Sequence, residues 1–191
     1  MAYHIYTTRA IILASRAEGD GHKVLTLLTE ELGILNAHAQ SIRTLKSKLR
    51  YHLQDYCFSR VSLVRGRVLW RITGAETLSR AHLVDPRSRA LVVEACALAS
   101  VITLPDDPHT DLFEDMRVLL EYFGTCEYVD TTSSDALLLT QLRIFSRTGF
   151  LPEYENLKSL VGSQELSREA LARFAMHREE GRRLARATLL S

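Results

Sequence analysis

The chain has few cysteines, and none of them belongs to a Cys-x-x-Cys motif. Its three cysteines, Cys57, Cys96 and Cys126, stand far apart in a sequence of 191 residues. Zinc ribbons and disulfide-dense scaffolds both need closely and regularly spaced cysteines. This spacing argues against both classes, and we expect three buried, reduced thiols.

Long apolar segments are missing as well. No run in the sequence approaches the roughly 20 apolar residues that a membrane-spanning helix needs. The N-terminus also lacks the charged-then-apolar order of a secretory signal. The content of 46% hydrophobic and 25% charged residues is typical of an ordinary globular protein. We therefore expect a cytoplasmic protein that has no membrane partner.

The net charge of +1 is small only because two oppositely charged parts compensate each other. Residues 1–79 hold eleven Lys/Arg and six Asp/Glu, a net charge of +5. Residues 80–142 hold four and eleven, a net charge of −7, and residues 143–191 return to +3. A basic first part followed by an acidic middle predicts two modules with different partners. We place the division after residue 79, giving domains of 1–79 and 80–191.

The most basic stretch of the chain runs from Gln40 to Tyr51. It holds four cations, Arg43, Lys46, Lys48 and Arg50, within eight residues, and no acid occurs between Glu31 and Asp55. Each cation in such a loop can displace a counterion from a polynucleotide. Hydroxyl groups between them can bond phosphate oxygens without reading sequence; they belong to Ser41, Thr44 and Ser47. An ordinary charged surface loop is the alternative, and the stretch alone leaves both interpretations open.

Short β-branched and apolar runs on both sides of this stretch predict strands. A turn at 18–22 separates the first two candidates, and Gly66 marks the tip of a hairpin between Arg65 and Arg67. The predicted strands are 9–16, 34–40, 55–64 and 67–73. The segment 23–33 fits a strand or a helix face, because its apolar residues satisfy both periods.

The last predicted strand has two different faces. Val68, Trp70 and Ile72 fall on one face at a period of two, and Arg67 and Arg71 fall on the other. Trp70 could stack on a base, but an aromatic residue in line with two aliphatic ones is more typical of a core. We therefore assign Trp70 to the core.

Five strands within some seventy residues, joined by a basic connection, suit a small barrel of the OB type. Such barrels bind oligonucleotides on one face and its loops. The predicted class is therefore α+β, with a five-stranded OB-fold barrel followed by a helical domain. The candidate nucleic-acid-binding residues are Lys23, Arg43, Lys46, Lys48, Arg50, Arg65, Arg67 and Arg71.

From residue 85 onward the apolar period changes to 3.6. Asp85-Pro86 is a helix start, and the expected buried stripe after it is Ala90, Val93, Ala97, Val101 and Leu104. Further helices are predicted from Asp111 to Gly124, from about Ser134 to Gly149, and from Ser167 onward. Three or four such helices would form a bundle.

Several of these segments, in this order and spacing, resemble the N-terminal half of the RecO (recombination protein O) family of bacterial DNA repair proteins. The most specific are Leu-Thr-Glu-Glu-Leu-Gly at 28–33 and Lys-Ser-Lys-Leu-Arg at 46–50. Weaker similarity is found at 10–13, 65–67, 74–76 and 142–152.

The resemblance implies an N-terminal OB-fold, a strand at 23–32 and a C-terminal helical domain. It also implies binding of single- and double-stranded DNA without marked sequence preference, and annealing of complementary strands. Members of this family help to load recombinase onto DNA coated by single-strand-binding protein, together with the partner RecR. None of these steps breaks a bond, so the resemblance predicts a protein that is not an enzyme.

The chain departs from the family pattern in two places. Many members carry a four-cysteine zinc site where residues 153–162 of this chain have no cysteine, so we predict no metal and no other cofactor. Gln40-Ser41-Ile42 stands where the family usually has a glycine and a small residue before the basic loop. Candidate cations for the acidic tail of single-strand-binding protein are Arg143, Arg147, Arg182, Arg183 and Arg186.

Two other functions compete with the DNA-binding mediator. An RNA-binding OB protein would use the same cations, but the strands lack an aromatic-rich motif for splayed bases. A protein-interaction adaptor would use the acidic residues at 106–115, which the dipole of a helix N-terminus also explains. Catalysis has the least support, since the seven histidines show no metal-ligand spacing and no nucleophile has a second element.

Overall fold

A computed structural model describes residues 4–44, 47–80, 85–125 and 130–190 of the chain. The chain divides into two compact units. The first contains Met1–Ala81 with Thr103–Thr110, and the second contains His82–Ile102 with Asp111–Ser191. The division into domains after residue 79 stays a prediction, and Arg80 is described only in its backbone.

The first unit is a closed five-stranded barrel in the order β1-β2-β3-β5-β4. All neighbouring strands are antiparallel except β3 and β5, which are parallel. The strands are β1 Ile5–Glu18, β2 His22–Thr29, β3 Gly33–Ala39, β4 Cys57–Arg65 and β5 Trp70–Arg80, with a short helix α1 Leu49–His52 before β4. This architecture confirms the predicted OB-fold.

The segment that periodicity left open is strand β2. Val24 and Leu28 are buried, and so are Leu25 and Leu27 on the other side of the strand. A strand that is buried on both faces shows no alternation of apolar and polar residues, which explains why its sequence also fitted a helix.

A long, irregular first strand closes the barrel. Its first half, from Ile5 to Ile11, pairs with β4, and its second half, from Ala10 to Glu18, pairs with β2. A register shift lies between Ile12 and Ala14, where the strand passes from one partner to the other. Such irregularities increase local twist and let one strand serve two sheet edges.

The barrel interior is mainly aliphatic. Leu25, Leu27 and Leu63 are fully buried there, and Ile42 and Leu53 insert from the connection between β3 and β4. These last two side chains anchor both ends of the basic stretch in the core, since each is at most 3% exposed.

Gly33 begins β3 in a left-handed conformation, with φ at +70°. A Cβ atom at this position would lie 2.5 Å from the carbonyl oxygen of Asp107. The backbone N–H of Asp106 donates a hydrogen bond to the carbonyl oxygen of Ile34 at 3.3 Å. The segment 103–110 therefore lies directly on the first residues of β3.

The second unit is helical, and one helix is central to it. The helices are α2 Pro86–Ile102, α3 Thr110–Thr125, α4 Thr131–Arg147, α5 Lys158–Gly162, α6 Arg168–Ala175 and α7 Arg178–Leu190. Helix α4 contacts α2, α5, α6 and α7. Asp130 caps α4 by accepting from the backbone N–H of Ser133 at 3.0 Å, so this helix begins a few residues earlier than predicted.

The predicted buried face of α2 was wrong. Val101 and Leu104 from the expected stripe are 84% and 69% exposed, and Ala90, Val93 and Ala97 are exposed as well. The face that is buried carries Ser88, Val92, Ala95, Cys96 and Ala99. Both faces of α2 are apolar, so the 3.6-residue period could not show which of them is buried. The face that packs is the one with the small side chains.

The segment after Ser167 forms two helices, whereas a single one was predicted. Ser167 is the N-cap of α6, as predicted, and its Oγ accepts from the backbone N–H of Ala170 at 3.1 Å. The chain then breaks at Met176 and His177 before α7 begins.

Within the described ranges, no helix is long and apolar enough to cross a membrane. Cys57 and Cys96 are buried and form no disulfide, and Cys126 lies outside those ranges.

Candidate nucleic-acid interface

The basic stretch between β3 and β4 is fixed at its start against the turn between β1 and β2. The backbone N–H of Ser41 donates to Nδ1 of His22 at 3.0 Å, and that of Arg43 donates to the carbonyl oxygen of Gly21 at 3.0 Å. Ile42 between them is buried in the barrel. Ser41 has a φ of +51°, so it adopts the left-handed conformation that glycine favours.

The cations of this stretch extend into solvent from that fixed base. Arg43, Lys48 and Arg50 are exposed, and Lys46 lies outside the described residues. Arg43 lines a shallow pocket of about 380 Å³ together with Asp20, Gly21 and Thr44. Because Asp20 shares this pocket, an anion there would meet one carboxylate as well as the guanidinium.

The hydroxyl groups of the stretch do not all point outward. Thr44 Oγ1 donates its proton to the carbonyl oxygen of Ser41 at 2.8 Å, which tightens the turn. A phosphate oxygen needs a donor, so Thr44 is a poorer phosphate ligand than the sequence suggested. Ser41 and Ser47 are left as the hydroxyl candidates.

A second group of cations lies at the hairpin between β4 and β5. Arg65 ends β4, Arg67 stands in the turn, and Arg71 follows the first residue of β5; all three are exposed. Arg71 is in register with His38 on β3, and its Nη2 donates to Oε1 of Gln40 at 3.3 Å. This bond connects β5 with the beginning of the basic stretch.

Lys23 lies on β2, in register with Ala39 of β3 and Ala17 of β1. Its side chain is half-buried, and Nζ donates to Oγ of Ser15 at 3.0 Å. This hydrogen bond holds the ammonium against the barrel, so Lys23 contributes charge to the region with less freedom than the loop arginines.

The structure therefore places the predicted cations on neighbouring parts of one barrel. Strands β2, β3 and β5 lie side by side, flanked by the β1–β2 turn and the β4–β5 hairpin. In OB-folds the face of strands 2 and 3, with the loops 1–2 and 4–5, binds oligonucleotides. Lys46 lies outside the described residues, Lys48 is the N-cap of α1, and Arg50 lies within that helix.

Ion pairing separates these cations from the other arginines of the barrel. Arg9 pairs with Glu30, whose pKa is lowered by its hydrogen bond to that guanidinium, and Arg60 pairs with Glu76 at 3.0 Å. Within the described part of the chain, no acid pairs with the candidate arginines Arg43, Arg50, Arg65, Arg67 and Arg71. Their positive charge is thus available to a polyanion.

An aromatic group lies at the same hairpin. Trp70 packs against the barrel core, as predicted, but it is only half-buried, and the guanidinium carbon of Arg65 lies 5.7 Å from the centroid of its ring. Tyr6 contacts Trp70 edge to face, with ring centroids 5.2 Å apart. Val68, also assigned to the core face, is 91% exposed in the turn. The strand begins only at Trp70, so the alternation could not be extended back to Val68.

The arginines proposed for the acidic tail are not equivalent. Arg143 is 1% exposed and donates from Nε and Nη2 to the carbonyl oxygen of Leu160, and from Nη2 to that of Glu165. It is a structural residue, and its assignment to a partner surface was wrong. Arg182 pairs with Glu179 at 2.6 Å, while Arg183 and Arg186 are exposed on α7.

Arg143 belongs to a buried ionic group around Asp115. Arg147 donates from Nε to Oδ2 of Asp115 at 3.1 Å, and Nη1 of Arg143 lies 3.8 Å from Oδ1. Burial raises the pKa of Asp115 to about 6, against the opposing effect of the two arginines. Burial likewise lowers the pKa of Arg143. Among the described residues, no grouping of His, Cys, Asp and Glu could hold a metal ion.

Comparison with known proteins gives a consistent result. Residues 1–81 match the family described as "Recombination protein O N terminal". A protein named "DNA repair protein RecO" from Dehalococcoides mccartyi strain 195 is 31% identical over 156 residues, covering 78% of this chain and 58% of that protein. The protein of the same name from Heliobacterium modesticaldum is 32% identical, covering 78% of this chain and 53% of that protein.

A more distant relative extends the match along this chain. The "DNA repair protein RecO" of Thermodesulfovibrio yellowstonii is 28% identical over 167 residues, covering 86% of this chain and 64% of that protein. The chain thus spans less than two thirds of the length of these curated relatives. The closed OB barrel, the matching N-terminal family region and these relatives together support the RecO family for this chain.

Proposed function

We propose that this protein is a DNA-binding mediator of recombinational repair, whose barrel holds DNA by its phosphate backbone. The observation that carries the proposal is the group of exposed, unpaired arginines on the barrel, anchored by Ile42, by the Ser41–His22 hydrogen bond and by the Arg71–Gln40 bond. The relatives are named as DNA repair proteins, which supports the same role for this chain.

The proposed mechanism is electrostatic and involves no bond chemistry. Cations that neutralise phosphates release condensed counterions, so affinity is gained without reading base sequence. One barrel that screens two backbones lowers the repulsion between complementary strands and so favours their annealing. The proposed contacts are Lys23, Arg43, Lys46, Lys48, Arg50, Arg65, Arg67 and Arg71.

Two protein partners follow from the family and are part of the proposal. We propose that RecR binds this chain and that the helical unit receives the acidic tail of single-strand-binding protein. The exposed Arg183 and Arg186 on α7 are the remaining arginine candidates for that tail that make no ion pair within the described residues. Together these contacts would bring the protein to coated DNA and assist recombinase loading.

The test is a set of binding and annealing assays. Labelled single-stranded DNA, duplex DNA and RNA of matched length are titrated with the protein, and the annealing rate of complementary strands is followed with and without it. The proposal expects binding to both DNA forms and faster annealing. Binding to RNA alone would support the RNA-binding alternative. If no nucleic acid binds at low salt, the protein-interaction adaptor is the alternative that remains.

A further inference from the structure

An aromatic ring that is only partly buried in the core lies at the open end of the barrel. Arg65 and Trp70 are directly opposite each other in the β4–β5 ladder, so their side chains lie on the same face. The pair continues the interior row of Leu63 and Ile72 to the end of the barrel. There Trp70 is half-buried, with Tyr6 against it.

Arg65 covers the indole only loosely. Its guanidinium carbon lies 5.7 Å from the ring centroid, near the outer limit for a cation–π contact. Stacking of a nucleobase on an aromatic ring is stronger than a cation–π contact at an exposed site. A base can therefore displace Arg65 from the ring with a net gain.

We propose that Trp70 is a stacking surface for one base of a single strand, and that Arg65 turns from the indole to a phosphate when the base arrives. The inference rests on the proposed DNA binding and deepens it, since it assigns Trp70 to the base and Arg65 to the backbone. Arg71 follows Trp70 on the opposite face of β5 and Arg67 precedes it in the turn, so we assign neither of them to this stacking site.

Base stacking on Trp70 makes the affinity of the barrel for single strands higher than its affinity for duplexes. A base inside a duplex is stacked on its neighbours and cannot reach the indole without being unstacked. Because every base has a π-face, the contact adds affinity without sequence preference.

The chain has a single tryptophan, so fluorescence excited at a wavelength that its seven tyrosines do not absorb reports on this position alone. Wild-type protein is titrated with oligothymidylate and with an abasic phosphodiester of the same length, while anisotropy of labelled copies reports binding. The inference expects both to bind but only oligothymidylate to quench Trp70. Equal quenching by the abasic strand, or binding of oligothymidylate without quenching, would overturn it.

Two variants separate the roles of the two side chains. Trp70→Leu should lower the affinity for oligothymidylate about five-fold or more and leave the affinity for the abasic strand unchanged, while Trp70→Phe retains most of the difference. Arg65→Ala should weaken both ligands and reduce the salt slope by about one unit. If Trp70→Leu weakens both ligands equally, the stacking role is wrong; no binding of either ligand by the wild type would instead overturn the proposed function.

Discussion

The backbone N–H of Ser41 donates a hydrogen bond to Nδ1 of His22, across 3.0 Å between the basic stretch and the first hairpin of the barrel. The bond requires His22 to carry its proton on Nε2. Together with the Arg43–Gly21 backbone bond, it fixes the point from which the cations extend. Fixed cations lose less conformational freedom on binding than mobile ones, so the affinity of the site depends on this anchor.

Replacing His22 by alanine tests the anchor. His22→Ala removes an acceptor from the Ser41 N–H, so we expect about 1 kcal/mol of lost stability and a few-fold weaker binding of single-stranded DNA. Urea unfolding and anisotropy measure the two effects. His177→Ala, in the helical unit, is the control. Unchanged binding by His22→Ala would show that the loop needs no such anchor.

Gly33 is expected to tolerate no side chain. Its φ of +70° strains any other residue, and the backbone of Asp107 occupies the space of a Cβ atom. We expect Gly33→Ala to cost about 2–4 kcal/mol in urea unfolding. Gly149 has a φ of +77° with nothing within 4 Å of a Cβ atom, so Gly149→Ala should cost only about 1 kcal/mol. Equal costs would contradict the contact with the 103–110 segment.

Arg143 should act on stability and not on a partner. Arg143→Ala removes hydrogen bonds to the carbonyl oxygens of Leu160 and Glu165 and leaves Asp115 with one arginine. We expect a loss of about 3–5 kcal/mol in the free energy of unfolding. Arg182→Ala, which breaks an exposed pair with Glu179, should change it by less than about 1 kcal/mol. If the Arg143→Ala protein were as stable as the wild type, the assignment of Arg143 as a buried structural residue would be wrong.

The stability of the helical unit should fall as pH rises through the range set by Asp115. Its pKa is 3.8 in the unfolded chain and about 6 when folded, so between these values the folded state binds more protons. Protonation of Asp115 contributes roughly 3 kcal/mol to the free energy of unfolding. This contribution is fully present below pH 4 and is lost by about pH 6.

Asp115→Asn isolates this effect from the rest of the titration. The variant should lack the loss between pH 4 and 6, so the difference in unfolding free energy between wild type and variant should change with pH in that window. Urea unfolding at half-unit steps of pH measures it. Parallel profiles for the two proteins would show that Asp115 does not titrate there.

Most strands of the barrel could be predicted from local signals. The turn at 18–22 and the Gly66 hairpin marked where strands end, and the resemblance assigned to a strand the segment 23–32 that periodicity had left open. Helix α2 could not be read in the same way, because Val93 and Val101 compete with Val92 and Cys96 for the buried face. Only packing against α4 decides between two apolar faces.

The candidate site was predictable as a list of cations but not as an arrangement. Composition identified the basic stretch, whereas the bond between Arg71 and Gln40 depends on β3 and β5 lying parallel, a long-range contact that no local pattern contains. Alternation placed Trp70 on the core face correctly, but it could not predict that the ring is only half-buried, because alternation gives the face of a strand and not where the barrel ends. Arg143 was misassigned because exposure was inferred from charge alone.

The central claim is that phosphates are held by the cations of the basic stretch, and its most direct test is a salt series. Anisotropy of a labelled single-stranded DNA is measured from low to physiological salt for wild type and for a variant in which four residues become alanine: Arg43, Lys46, Lys48 and Arg50. A charge-matched control replaces four exposed cations elsewhere with alanine: Arg87, Lys158, Arg168 and Arg183.

For the wild type, the logarithm of the binding constant should fall steeply and linearly with the logarithm of salt concentration. The variant in the basic stretch should reduce that slope by about three units, since each phosphate contact on a single strand contributes about 0.7. The control should keep the wild-type slope. An unchanged slope in the first variant, or an equal reduction in both, would contradict the assignment of this stretch as the DNA contact.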